Sequence, residues 1–137
     1  MSSAGIDVVR RAIAAYNRRD LGSLRALNHP EVEVDWSASR GLDAGVYKGL
    51  PEVLGFFQSY FDTFDQMVVE PEEFIESGDL VVVPNVARIR GRDGIEAVAR
   101  SAFVFEVRRG QVTRLCLYQE AHEALTAAAA SGEKPSS

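Results

Sequence analysis

The chain predicts an α+β fold: three N-terminal helices wrapped by a cone-shaped, curved, mixed but mainly antiparallel sheet, with a short C-terminal helix. Three observations predict it. Residues 78–120 form three apolar-rich runs parted by two short turn-rich breaks, and each run alternates with period two, as strands with one face on a core require. The stretches around residues 6–16 and 51–64 instead repeat their apolar residues every three or four positions, as amphipathic helices do. Between them Val32, Val34 and Trp36 alternate with Glu31, Glu33 and Asp35, which adds one strand. The order is helix, helix, strand, helix, then four strands.

Each element has its own warrant. Ile6, Val9, Ile13 and Tyr16 make one helical stripe, with Asp7 in the first turn and Arg18 and Arg19 in the last, as the helix dipole favours. Asp20 suits the N-cap of a short second helix carrying Leu21, Leu24 and Leu27, which Asn28, His29 and Pro30 end. Residues 37–49 hold three glycines and no period, so they read as a loop of a length that is often functional. Pro51 opens the third helix, whose stripe of Val53, Phe56, Phe57, Tyr60, Phe61 and Phe64 is rich in aromatics. Gln66–Ser77 reads as the second strand, and Pro71 implies an edge position or a bulge. Ser77-Gly78-Asp79, Asp93-Gly94 and Arg109-Gly110 mark the following turns. His122–Ala130 can form a terminal helix, which makes residues 1–130 one domain and 131–137 a disordered tail.

Composition excludes several function classes. A chain of 137 residues is long enough to bury a core without staples. Its net charge of −5 argues against nucleic acid, which needs a basic footprint. The single cysteine, Cys116, rules out an internal disulfide and a multi-cysteine metal site, and mid-strand it reads as a small packed residue. No His, Cys or acid trio shares a face at ligand spacing, so no metal is expected, and nothing suggests another cofactor. No apolar stretch approaches the length of a membrane span and no leader is visible at the N-terminus, so the expected location is cytoplasmic with no membrane partner.

The chain resembles the nuclear transport factor two-like superfamily in its SnoaL-like branch. The residues that carry the resemblance are AAYNRRDLGSL, NHPEVEVDW, VYKGLPEVLGFFQSYF, ESGDLVVV and FVFEVRRGQVTRLCLYQE, together covering roughly residues 6–125. It implies the conical fold and a small-molecule pocket, and its members include polyketide cyclases, ketosteroid isomerases, epoxide hydrolases and dehydratases. It does not fix an activity. An isomerase-like site would need a helix-one tyrosine where this chain has Ala12, with Tyr16 a turn later. It would place a base at Trp36 or, with a one-residue slip, Asp35, and a second acid where Ser101 and Ala102 stand. The epoxide-hydrolase pattern lacks its Arg-x-Asp here and meets Leu117 at its closing acid. A dehydratase-like site needs two pocket histidines, and His29 and His122 do not suit.

Parity and family register put Tyr16, Trp36, Phe56, Phe57, Tyr60, Val81, Val83, Asn85, Ala87, Ser101, Phe103, Phe105, Leu115, Leu117 and Gln119 inside. Such a cavity, aromatic with a few polar points, suits a hydrophobic small molecule. Asn85 either holds a buried hydrogen bond to Tyr16, Ser101 or water, or touches a ligand. Asp35 is the carboxylate that could act as base, with Tyr16 or Asn85 polarising a carbonyl, although strict alternation sends Asp35 outward with Glu33. Trp36, Phe56, Phe57, Tyr60, Ser101, Phe103, Phe105, Leu117 and Gln119 are the expected substrate contacts. Asp43, in the 37–49 loop, reads as a solvated acid, and the arginines of the outer face as members of cross-strand ion pairs.

Two readings compete: a cofactor-independent isomerase, cyclase or lyase on a polyketide- or steroid-like substrate, and a non-catalytic ligand-binding or accessory domain. The outer face also carries Val82, Val86, Val104, Val112, Cys116 and Tyr118, which is much apolar surface to leave wet. A homodimer through that face is therefore expected.

Overall fold

A computed structural model describes residues 3–41 and 43–133. Of the tail expected at 131–137, residues 134–137 lie outside the described residues, whereas 131–133 belong to the last helix. The elements are α1 (Ala4–Asn17), α2 (Leu21–Leu27), β1 (Asn28–Asp35), β2 (Val46–Lys48), α3 (Leu50–Thr63), β3 (Phe64–Pro71), β4 (Ile75–Ser77), β5 (Leu80–Gly91), β6 (Glu96–Arg108), β7 (Gln111–Tyr118) and α4 (Ala121–Glu133). The sheet runs β2-β1-β7-β6-β5-β3, with β4 also on β5. Every pairing is antiparallel except β1 with β7, so the sheet is mixed, as expected.

Local chemistry accounts for most boundaries. Ser3 caps α1 by accepting from Ile6 N at 3.0 Å, and Asp20 caps α2 by accepting from Ser23 N at 3.0 Å. The two arginines expected in the last turn of α1 lie beyond it. Arg19 has a left-handed backbone and turns its guanidinium to Phe61 O at 2.6 Å and Phe64 O at 2.9 Å, satisfying carbonyls at the end of α3. The expected single strand over 66–77 is two, because Pro71 ends β3 opposite Asn85 and β4 resumes on β5 at Ile75. The expected loop over 37–49 holds a short strand, β2, on the edge beside β1.

One register feature changes the inside–outside assignment. Val107 pairs with Val112 but Glu106 pairs with Arg114, so Thr113 is a bulged residue. Val112 is therefore turned into the inner core, not onto the outer face, while Leu115 and Leu117 face in as alternation predicts. Thr113 instead donates to Glu106 Oε1 at 2.7 Å.

The sheet separates two cores. On its inner side, α1 and α3 pack against Val81, Val83, Phe103, Phe105 and Leu115. On the outer side, Ala124 and Ala128 of α4 lie on Val82, Ala102, Val104 and Cys116. The outer apolar surface from which a homodimer was expected is thus partly covered by the chain's own last helix.

Candidate functional site

The inner core is not filled. A cavity of about 60 Å³ runs between α1, α3 and the concave face of the sheet. Tyr16 and Ala12 reach it from α1; Phe56, Phe57 and Tyr60 from α3; Trp36 from the end of β1; Phe103 and Phe105 from β6. The walls are aromatic because α3 turns its ring stripe inward and meets Trp36: Trp36 lies 5.3 Å from Phe56 and 5.6 Å from Phe103 between ring centroids, largely edge-on or tilted. One water needs about 10–15 Å³, so the cavity holds about four to six waters, whereas ligand pockets span about 300–1,000 Å³. A ligand must therefore widen it.

The segment after Trp36 touches the cavity wall through Tyr60. Its ends are fixed to the scaffold: Trp36 N donates to Gly45 O at 2.7 Å, and Gln119 Nε2 donates to Ala38 O at 2.7 Å. Its middle is held by Asp43. The Trp36 indole N–H donates to the Tyr60 hydroxyl at 2.9 Å, and that hydroxyl donates to the Asp43 carboxylate. Ser39 donates to the same carboxylate at 3.3 Å, and Tyr47 donates to the Asp43 carbonyl at 2.6 Å. Asp43 is thus no free loop acid: it ties the segment to two rings of the cavity wall.

Tyr16 donates its hydroxyl to Met67 Sδ at 3.2 Å, a weak acceptor that a ligand oxygen could replace. Burial pushes its pKa far above the ordinary phenol range; the nearby Arg19 opposes this and Asp43 adds to it. The group is a neutral donor at any ordinary pH.

Six of the expected contacts, Trp36, Phe56, Phe57, Tyr60, Phe103 and Phe105, line this cavity together with Tyr16. The others lie elsewhere. Asn85 is 0 % exposed but spends its amide locally, donating to Val83 O at 3.1 Å and accepting from Ser101 Oγ at 3.3 Å, so the Asn85–Ser101 pair is a packing feature beside β3. Leu117 packs in the inner core away from the cavity, and Gln119 holds Ala38. Asp35 is on the outer face, where alternation sends it. It accepts from the Ser37 hydroxyl at 2.6 Å and meets Arg114 at 3.4 Å, and these contacts, the Ser37 bond first, hold its carboxyl below the usual range. A carboxylate so placed is neither poised as a base nor within reach of the cavity, which corrects the assignment of a base to Asp35.

Sequence reasoning missed Asn28, Met67 and Val112 as lining residues. Asn28 looked like a helix terminator, Met67 stood on an edge strand, and Val112 was reversed by the bulge. Among the described residues no three His, Cys, Asp or Glu side chains converge to hold a metal. No described helix is long and apolar enough to cross a membrane.

A family model described as a SnoaL-like domain matches residues 9–115. The uncharacterized protein Rv0034 of Mycobacterium tuberculosis is 33 % identical over 114 residues, 82 % of this chain and 86 % of that one. Among solved structures, an NTF2-like protein of unknown function from Burkholderia pseudomallei is similar with a TM-score of 0.77 and 26 % identity, over 91 % of this chain and 97 % of its own. TerC, co-crystallized with polyporic acid, is similar at 0.76 and 22 %, over 93 % and 99 %. RV0760c of Mycobacterium tuberculosis, in complex with estradiol-17beta-hemisuccinate, is similar at 0.77 and 18 %, over 88 % and 97 %. The last two likenesses are of fold alone.

Proposed function

The chain belongs to the SnoaL-like domain family, and from that premise we propose that it binds a hydrophobic, ring-containing small molecule of steroid or polyketide type in the inner cavity. The observation that carries this reading is the cavity itself: aromatic walls, no charged side chain among its lining residues, and one wall hydroxyl, that of Tyr60, bonded to the Asp43 carboxylate. Tyr16, Trp36, Phe56, Phe57, Tyr60, Phe103 and Phe105 are the contacts. Two neighbours of the same fold hold polyporic acid and a steroid ester, which supports the ligand class without deciding it.

Trp36 is the only tryptophan and lines the cavity, so it is a built-in reporter. Titration with estradiol or polyporic acid is expected to change its emission saturably, and native mass spectrometry should retain a one-to-one complex. An unchanged spectrum and a bare protein mass across a panel of steroids and aromatic polyketides would sink the reading.

One observation favours a second reading, an acid–base isomerase, cyclase or lyase that needs no cofactor. The Tyr60 hydroxyl lies between the cavity and Asp43. Tyr60 could take a proton from a ligand while passing its own to the carboxylate, with the Trp36 N–H steadying the oxygen and Tyr16 polarising a carbonyl. If so, Asp43→Asn abolishes turnover of a bound ligand and leaves binding within about threefold, a small change against the about 1.4 kcal/mol of a tenfold one.

Self-association through the outer face is part of the same proposal, narrowed by α4 to the end of the sheet around Val98, which is 62 % exposed. A monomeric mass at micromolar concentration would count against it. We place the protein in the cytoplasm on the same terms.

A further inference from the structure

Resting on the ligand-binding reading above, we infer that Asn28 is a specificity-determining residue: its amide oxygen, at the end of the cavity away from the Asp43 segment, accepts a hydrogen bond from a hydroxyl or N–H carried at the leading end of an otherwise apolar ligand. Asn28 lines the cavity and is 5 % exposed. Its Nδ2 donates to Leu24 O at 2.7 Å, a carbonyl of α2 that also accepts from the Asn28 backbone N–H. This bond fixes which way the amide points. Turned over, the side-chain oxygen would face the Leu24 oxygen, acceptor against acceptor. The cavity therefore meets Oδ1 only.

That oxygen accepts nothing from the described residues. No buried side-chain polar atom among them is left without a partner, so Oδ1 is not sealed in packing but open to the cavity. An acceptor with no protein donor, on a residue only 5 % exposed, is met by water or by a ligand donor. A water there is displaced without loss only by a group that replaces its hydrogen bond.

The geometry gives the ligand a direction. Asn28 stands opposite Val112 on β7, while Asp35, next to Trp36, stands opposite Cys116. Along β7 the two ends are thus four residues apart, about 13 Å at 3.3 Å per strand residue. Tyr60 and Tyr16 supply the other hydroxyls of the lining, and Leu24 and Val112, beside Asn28, offer no polar side chain. A rod-like ligand that enters past the Asp43 segment brings its leading tip to Asn28. A tip that donates is accepted, and a tip that can only accept meets oxygen with oxygen.

Three probes of one shape separate these cases: biphenyl, 4-hydroxybiphenyl and 4-methoxybiphenyl, titrated calorimetrically into the whole protein. The hydroxyl compound is expected to bind about tenfold tighter than biphenyl, and the methoxy compound no tighter than biphenyl. In Asn28→Leu the tenfold preference should vanish while biphenyl still binds. Equal binding of the hydroxyl and methoxy probes to the natural chain would overturn the assignment to Asn28 and leave the ligand-binding reading standing. So would a preference that survives in Asn28→Leu and is lost in Tyr16→Phe or Tyr60→Phe. If none of the three binds the natural chain while estradiol or polyporic acid does, the assignment to Asn28 is overturned and the ligand-binding reading stands; if those fail as well, both fall together. Should Asn28→Leu not fold, because the side-chain bond to Leu24 O is lost, the comparison of probes on the natural chain still decides.

Discussion

The two faces of one sheet are built from the same strands and do opposite things. The inner face presents Val81, Val83, Phe103, Phe105 and Leu115 to the inner core, and the cavity there has no charged side chain among its lining residues. The outer face, one residue out of step, carries Val82, Ala102, Val104 and Cys116 under an alanine-rich helix, and around that patch stand ion pairs: Arg88 with Glu70 at 2.6 Å, Arg100 with Glu72 at 2.9 Å, Arg114 with Glu33 at 3.3 Å. Alternation therefore sorts more than apolar from polar. It sends large rings to the side where they leave a gap and small residues to the side where a helix lies close. It also sends the strand carboxylates outward, so the one acid that reaches the cavity edge comes from a loop, which no alternation governs.

The sharpest way to break this comparison is to cut a ring from the inner face. Phe103→Ala is expected to lower unfolding free energy by about 3–5 kcal/mol in urea, since Phe103 is buried against Trp36 and Phe105. A loss below about 1 kcal/mol would mean that the cavity wall collapses to fill the space. On the outer side, Ala124→Glu puts a charge under α4 where the residue is 0 % exposed, and should cost about 2–3 kcal/mol. It should also open Cys116, whose thiol burial makes a weaker acid than usual, to a thiol reagent that the natural chain resists. Labelling at an unchanged rate would show that α4 does not guard that face.

At the cavity edge, Tyr60→Phe removes the hydroxyl between Trp36 and Asp43. We expect a loss of about 1–2 kcal/mol and faster amide exchange between Trp36 and Val46. Unchanged exchange would mean that the segment is held by its ends alone. The smallest effect belongs to Asp35→Asn. Its pKa is lowered on folding, so its contribution is present above the unfolded value of 3.8 and lost as pH falls through the lower folded value. On a partly exposed site this is under about 1 kcal/mol, and the variant should show a flatter acid limb below that pH with no change in ligand affinity.

Much of this was legible in the sequence. Period two together with the family register placed Val81, Val83, Phe103, Phe105 and Leu115 inside, and helical spacing turned Phe56, Phe57 and Tyr60 toward them, so the aromatic wall could be read from the sequence. Alternation also argued against Asp35 as a base, and geometry agrees. What was not legible came from backbone irregularity and long-range contacts. The bulge at Thr113 reversed Val112, a shift that depends on how β6 and β7 slide against each other. Arg19 caps α3 from 42 residues away, and Asp43 meets Tyr60 across 17. Asn28 was hidden because a helix-ending residue and a cavity residue look alike until β1 is seen to start there.

The single parallel pairing, β1 with β7, has a consequence for how the molecule comes into being. It joins Asn28 to Val112, 84 residues later by subtraction, while the other strands pair with near neighbours in the sequence. Contacts that distant raise contact order and slow folding. During synthesis the first strand and the rings of α3 leave the ribosome long before β7 exists to complete the sheet around them. The wall that holds Asn28 and Trp36 in place is thus among the last parts to assemble, and until then the most aromatic helix of the chain has no finished concave surface to bury its rings.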